Sequence, residues 1–414
     1  MAGFIAARDG AARRDTRPVA IWLLVCCAMI FAMVVIGGIT RLTWSGLSIT
    51  EWQPVTGAVP PLSAADWQAE FAKYQQTTQY RQVNAGMSLA DFKTIYLWEY
   101  LHRLWGRLIG FVYLLPFLYF LARGRIPRRL AWPLSAIFAL GAAQGALGWY
   151  MVESGLADRI EVSQYRLTAH LALALLIYAA TLWTALGLLD RSPPLARSWL
   201  RRAADLLLGL IGLTIVAGGF VAGLNAGLTY NSFPLMDGRF VPTGYAQLSP
   251  FVRNWFENVA AVQFDHRILA MTTIGSVIAL WLAGWRNALP VAARHALHAL
   301  LAAALLQLGL GISTLLLVVP IPLAAAHQAG AVLLLTAALV FRHRCAARRH
   351  ARDGDGGNRG RGLGARDRRF RPVTSPGPSR PGNARDGRHS DTATRSARSR
   401  SRAARTAPRR PERC

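Results

Sequence analysis

Four histidines recur at matching places in the two halves of the chain. His102 and His170 lie in the first half, and His266 and His327 lie in the second. Each falls within the first turns of an apolar segment that is long enough to cross a membrane. Because ionisable side chains are costly inside a membrane, they are usually retained there for function. Four of them at one depth favour a functional site over four separate hydrogen-bonded core histidines.

Two neutral imidazoles that face each other across a helix bundle can supply both axial ligands of a haem iron. The order of the chain predicts that His102 pairs with His170 around one porphyrin, and His266 with His327 around another. Zinc or copper is a weaker interpretation, because neither pair has a third ligand close in sequence, except for Glu99.

Glu99 distinguishes the two halves chemically. It precedes His102 by three residues, so one helical turn places both side chains on the same face. The equivalent position before His266 is Gln263. We therefore expect a reaction site in the first half and an electron-handling cofactor in the second. The alternative for Glu99 is an acid that is favoured near a helix N-terminus by the helix dipole.

An arginine follows the first histidine of each pair, Arg103 in one half and Arg267 in the other. Each guanidinium could pair with a haem propionate or anchor its helix at the membrane interface.

Further motifs repeat in the same order in both halves, which predicts two parallel four-helix units. The matching motifs are Gly37-Gly38 and Gly218-Gly219, Gln144-x-x-Leu147-Gly148 and Gln307-x-x-Leu310-Gly311, and Ala169-His170 and Ala326-His327.

The composition is that of a membrane protein. Of the 414 residues, 53% are hydrophobic and only 16% are charged, and the mean hydropathy is +0.26. A soluble enzyme, a coiled coil and a disordered regulator are disfavoured. Eight segments can span a bilayer as helices, near 19–40, 101–121, 130–151, 166–189, 205–224, 260–284, 294–319 and 321–341. The predicted fold is an all-α polytopic membrane protein with eight transmembrane helices in two pseudo-repeated four-helix bundles.

The distribution of charge sets the predicted orientation. The net charge is +26, and residues 342–414 alone contain 22 arginines against six acidic residues. Arginines also cluster before the first span and in the loops after the second, fourth and sixth spans. Since positive residues mark the cytoplasmic side, both termini are predicted to be cytoplasmic. No nucleic-acid partner is expected, although lipid headgroup or nucleic-acid binding by the tail is an alternative.

Taken together, the motifs resemble the haem A synthase family over residues 19–341. The resemblance lies in Glu99-x-x-His102-Arg103, Ala169-His170, Asn231-Ser232-Phe233-Pro234-Leu235-Met236, Asp265-His266-Arg267, Ala326-His327-Gln328, and Gly37-Gly38-x-Thr40-Arg41-Leu42-Thr43 with Ser45-Gly46-Leu47-Ser48. The outer loops have no cysteine, which is typical of the alphaproteobacterial and mitochondrial subclass.

The resemblance implies that the chain oxidises the C8 methyl group of haem O to a formyl group, by two successive hydroxylations and loss of water. It implies that His266 and His327 bind a resident haem b, that His102 and His170 bind the haem O substrate, and that Glu99 is catalytic. The implied partners are a haem O synthase (a farnesyltransferase), cytochrome c oxidase assembly factors, an electron donor and membrane lipid. Self-association into a homo-oligomer is compatible with it.

The predicted segments follow from these assignments. They are a cytoplasmic segment 1–18, a substrate-haem bundle 19–189 with a long outer loop 41–100, a linker 190–204, a haem b bundle 205–341 and a disordered Arg-rich tail 342–414. The loop is expected to form short amphipathic helices, such as 63–81, that cover the porphyrin site. A frameshifted reading of GC-rich DNA would also explain the composition of the tail.

Two other functions are compatible with parts of the pattern. A di-haem b-type electron-transfer cytochrome would place its haems near opposite membrane faces, whereas the four histidines are predicted near one face. A transporter would require broken helices or charged groups at mid-membrane depth.

Overall fold

The structure is a computed structural model that describes residues 15–53, 56–157, 159–189, 198–287 and 289–345. The described residues contain helices and no strand. The helices are α1 Arg17–Leu42, α2 Ala64–Gln75, α3 Thr78–Gln82, α4 Leu89–Ala122, α5 Arg128–Leu156, α6 Gln164–Leu189, α7 Ser198–Gly223, α8 Asn254–Glu257, α9 Val259–Trp285, α10 Val291–Leu316 and α11 Ile321–Arg344. Eight of them are long and apolar enough to span a membrane, which confirms the predicted fold class.

The eight long helices pack as two closed rings of four. In the first ring, α1, α4, α5 and α6 each contact the next, and α6 returns to α1. In the second ring, α7, α9, α10 and α11 make the same circuit. The rings meet where α6 contacts α7 and α11 and where α1 contacts α11. The sequence repeat and the division at the 190–204 linker stay predictions, and residues 190–197 lie outside the described part of the chain.

Burial is greatest where the rings meet. Helices α1 and α11 have the largest buried share, and α5 and α10 have the smallest. Cys26 and Cys27 of α1 are buried in the main apolar cluster, where they pack as small apolar side chains. The outermost helices therefore present their apolar side chains to lipid.

Two spans begin earlier than predicted. Helix α4 begins at Leu89 rather than near residue 101, because Ser88 caps it by accepting a hydrogen bond from the backbone N–H of Asp91. Helix α7 begins at Ser198 rather than at residue 205. The early turns of both helices carry charged residues, so hydropathy alone places their starts too late.

The long segment between α1 and α4 is folded. Instead of one helix over 63–81, it forms two. Helix α2 has Gln76 as its C-cap residue, and Thr77 caps α3 by accepting from the N–H of Tyr80. A small apolar cluster joins this segment to the start of α4. Its members are Ile49, Phe71, Tyr74, Phe92, Ile95 and Tyr96.

The loops that follow α1, α5, α7 and α10 meet at one end of the molecule, which we call the loop end. The side chain of Gln79 donates to the carbonyl of Ile160, 3.2 Å away, and Asn225 donates to Glu161, 2.7 Å away. Asn231 donates to the carbonyl of Leu315. Polar contacts therefore tie all four loops together. The tail from residue 346 onward and residues 1–14 lie outside the described residues.

Candidate functional site

The four predicted histidines lie on four different helices in two pairs. His102 on α4 lies within electrostatic range of His170 on α6. His266 on α9 is similarly close to His327 on α11. Each pair belongs to one ring of helices, as the sequence predicts, and each histidine lies in the half of its helix nearer the loop end.

Each imidazole packs against a glycine on a neighbouring helix. A Cβ added to these glycines would come within 2.8 to 3.1 Å of a ring atom, which is closer than ordinary van der Waals contact. The contacts are Gly37 with His102, Gly148 with His170, Gly218 with His266, and Gly311 with His327. A side chain at any of the four positions would press on an imidazole, and at Gly148 and Gly311 something would have to shift.

The ring nitrogens suit axial ligation. The Nδ1 atom of His266 lies 3.1 Å from the carbonyl oxygen of Thr214, and donation to that oxygen leaves Nε2 for a metal. The Nδ1 atoms of His170 and His327 are buried without a hydrogen bond of normal geometry. A buried ring nitrogen without a partner calls for an explanation, and a group bound by the histidine is one such explanation. The described residues contain no cluster of three or more His, Cys, Asp or Glu side chains.

Glu99 is buried with a full set of hydrogen-bond donors. The residue is only 2% exposed. One oxygen accepts from the Ser48 hydroxyl and from the backbone N–H of Ile49, both at 2.8 Å. The other accepts two hydrogen bonds from Arg103, at 2.6 and 3.1 Å. The carboxylate is therefore paired with a guanidinium and hydrogen-bonded at both of its oxygens.

Arg103 also holds the segment that follows α1. Its guanidinium donates to the carbonyls of Ile49 and Glu51, at 2.9 and 3.1 Å, and lies over the ring of Trp52 at 5.9 Å. Residues 48–52 are therefore attached to α4 next to His102. The pairing of Arg103 with a propionate stays a prediction. In this structure its N–H groups donate to Glu99, Ile49 and Glu51.

The second ring has matching contacts at Gln263 and Arg267. The contact with arginine has the same direction as in the first ring, whereas the hydrogen bonds to the loop run in the opposite direction. Gln263 donates to the carbonyls of Ala226 and Thr229, at 2.8 and 2.6 Å, and accepts from Arg267 at 3.0 Å. Arg267 in turn donates to the carbonyls of Tyr230 and Ser232. Where Glu99 accepts from a loop, Gln263 donates to one, so a carboxylate at this position is specific to the first ring.

The sequence singled out the acid, the histidines and the arginines, but not all their partners. Ser48 and Ile49 are about fifty positions from Glu99, and only the folded segment brings them together. The repeated motifs contain all four glycines, but the motifs do not indicate the contacts of these glycines with the imidazoles. The spacing of Glu99 and Arg103, four residues apart on one helix, is the signal that indicates their ion pair.

Comparison with known proteins gives matches over nearly all of the described residues. A family model described as cytochrome oxidase assembly protein matches residues 20–339. A heme A synthase of Nitrosospira multiformis is 57% identical over 331 residues, which cover 79% of this chain and 93% of that protein. One from Nitrosomonas eutropha is 55% identical, covering 78% and 92%. The heme A synthase COX15 of Mus musculus is 47% identical, covering 79% and 82%.

Proposed function

Because the chain belongs to the cytochrome oxidase assembly protein family, we propose that it acts as a haem A synthase, a multi-pass membrane oxidoreductase that converts haem O to haem A. The reaction changes the C8 methyl group of haem O to a formyl group. The observation that carries this proposal is the arrangement of four histidines in two pairs, of which, among the described residues, only the first has a fully buried carboxylate, that of Glu99, beside it.

His266 and His327 would hold the resident cofactor, haem b. Their environment fits a bound porphyrin iron, since both imidazoles pack on glycine and one Nδ1 lacks a hydrogen bond of normal geometry. Haem b supplies one-electron redox chemistry when it is bound. The protein fixes its ligands, with the Thr214 carbonyl orienting the ring of His266.

His102 and His170 would bind the substrate haem O. Gly37 and Gly148 set the positions of these two imidazoles. Glu99, three residues before His102, is the proposed catalytic residue near the reacting methyl group. Removal of the Glu99 charge would change the electric field at the methyl carbon that is oxidised.

The hydrogen bonds of Glu99 define how it handles a proton. A carboxylate offers about four acceptor positions, and Ser48, Ile49 and Arg103 already use them. A proton that arrives on this carboxylate must therefore replace one donor. The Ser48 hydroxyl is the simplest to displace because it can rotate, whereas the Ile49 N–H and the Arg103 ion pair are fixed.

The proposed setting is the bacterial cytoplasmic membrane, with both termini on the cytoplasmic side. Arginines at the end opposite the loop end support this orientation. They include Arg123, Arg125, Arg128, Arg129, Arg201, Arg202, Arg286 and Arg294. A haem O synthase would supply the substrate, and oxidase assembly factors would receive the product. An electron donor and a homo-oligomeric state belong to the same proposal.

Haem extraction tests the proposed function. The chain is expressed in a host that makes haem O and purified in detergent, and its haems are separated by chromatography. Haem B together with haem A, or with a hydroxylated haem O, is the expected result. Haem B alone at about two per chain would indicate the di-haem electron carrier instead. A folded sample without any haem would overturn the assignment of all four histidines.

A further inference from the structure

Two pairs of adjacent glycines lie where the two rings of helices meet. Gly37-Gly38 is in α1, and Gly218-Gly219 is in α7. The first glycine of each pair contacts a histidine of its own ring, His102 for α1 and His266 for α7. Successive residues of a helix point about 100° apart. The second glycine therefore faces a different neighbour.

The second glycine of α1 contacts the other ring. A Cβ at Gly38 would overlap the carboxamide of Gln328. Gln328 directly follows His327 in α11, and its Nε2 donates to the carbonyl of Val34 in α1, 2.8 Å away. The absence of a side chain at Gly38 lets this amide reach the backbone of α1. One position of α1 thus sets the place of the residue next to a histidine of the second ring.

The second glycine of α7 makes the reciprocal contact. A Cβ at Gly219 would lie 3.0 Å from Oγ1 and 3.1 Å from Cγ2 of Thr168. Thr168 is two residues before His170 in α6, is only 4% exposed, and its Oγ1 has no hydrogen-bond partner. Because its hydroxyl has no partner, no hydrogen bond from the side chain holds this threonine in position. Its position depends on close contact with Gly219.

We propose that these four glycines are positioning residues with crossed targets. Gly37 and Gly219 set the geometry at the His102–His170 pair, whereas Gly38 and Gly218 set it at the His266–His327 pair. This inference rests on the proposed use of the histidines as haem ligands. Its consequence is that each site depends on a helix of the other ring, so the two sites are held at a fixed separation.

Four alanine variants test the crossed pattern, namely Gly37→Ala, Gly38→Ala, Gly218→Ala and Gly219→Ala. We measure bound haem b by its absorption spectrum, its reduction potential and its electron paramagnetic resonance, and haem O affinity by absorbance titration of the purified chain. Gly38→Ala and Gly218→Ala should shift the haem b potential and weaken haem b retention about tenfold, as changes around metal ligands commonly do. Gly37→Ala and Gly219→Ala should leave haem b unchanged and weaken haem O binding by a similar factor.

Matched controls separate this effect from helix propensity, since Ala favours a helix over Gly wherever its methyl group fits. Gly212→Ala in α7 and Gly275→Ala in α9 add a methyl group where nothing lies within 4 Å. Both should leave haem b and haem O binding as in the unmodified chain.

Double variants keep the test decisive if a single variant does not fold. Gly38→Ala with Gln328→Ala removes the overlapping carboxamide and should restore haem b retention. Gly219→Ala with Thr168→Ala should restore haem O binding in the same way. If adjacent glycines affect the same haem, or if the double variants do not recover, the inference is wrong. An unmodified chain without haem would instead refute the proposed function.

Discussion

The Glu99 carboxylate and the Arg103 guanidinium are joined one helical turn apart in α4 by two hydrogen bonds, 2.6 and 3.1 Å long. The same arginine donates to the carbonyls of Ile49 and Glu51. The proposed catalytic acid is therefore also the attachment point of the segment that follows α1. A substitution at Glu99 has two consequences, one for the reaction and one for this attachment, and they need separate measurements.

Glu99→Gln should lower the conversion of haem O by about 100-fold or more, in the range of a lost acid–base group, while haem b stays bound. The amide cannot pair with Arg103 as an ion. Haem A and haem O are measured by chromatography after extraction, and haem b by its absorption spectrum. Unchanged formation of haem A in this variant would remove the catalytic assignment.

Ser48→Ala tests the attachment without removing the charge. The hydroxyl donates to Glu99 at 2.8 Å and is buried, so its loss should cost about 1 kcal/mol. The segment between α1 and α4 should be cut faster by trypsin, with haem b content unaffected. Ser154→Ala is the matched control, because the Ser154 hydroxyl bonds only to its own helix backbone. Equal proteolysis of the two variants would contradict this role for Ser48.

Gln263→Glu should destabilise the second ring. The amide donates to the carbonyls of Ala226 and Thr229, and a carboxylate there would face two acceptors without a proton. The expected loss is about 1–3 kcal/mol, the cost of leaving buried polar groups unpaired. Thermal unfolding in detergent measures it, with Gln247→Glu on the exposed loop as control. A variant as stable as this control would show that Gln263 does not hold the loop.

Most of the fold follows from the apolar runs, because a chain in lipid must satisfy its backbone within helices. The exception is informative. The first three turns of α4 contain Asp91, Lys93 and Glu99, so their mean hydropathy is too low to predict a membrane span there. They are helical because Ser88 caps them and the apolar cluster of the outer segment covers them. Local capping and packing, rather than the membrane, determine this start.

The site was predictable as residue types but not as contacts. The recurrence of histidines indicates two pairs, since the helices that carry them occupy equivalent places. The partners of Glu99 could not be predicted, because Ser48 and Ile49 reach it only through the path of a folded segment. The same holds for Gly38 and Gln328, which are nearly three hundred residues apart in the sequence. Such contacts depend on how helices pack, which periodicity does not specify.

His266→Ala and His327→Ala should each remove most of the bound haem b, because each variant would lack one of the two imidazoles proposed to hold it. Both imidazoles pack on glycine, which has no side chain that could replace the lost imidazole. Haem b per chain is measured by absorption after purification, with helical content checked by circular dichroism. His298→Ala serves as control. This exposed histidine lies near the start of α10 and accepts a hydrogen bond from Trp281 of α9. Full haem b in either site variant would exclude that histidine as a ligand.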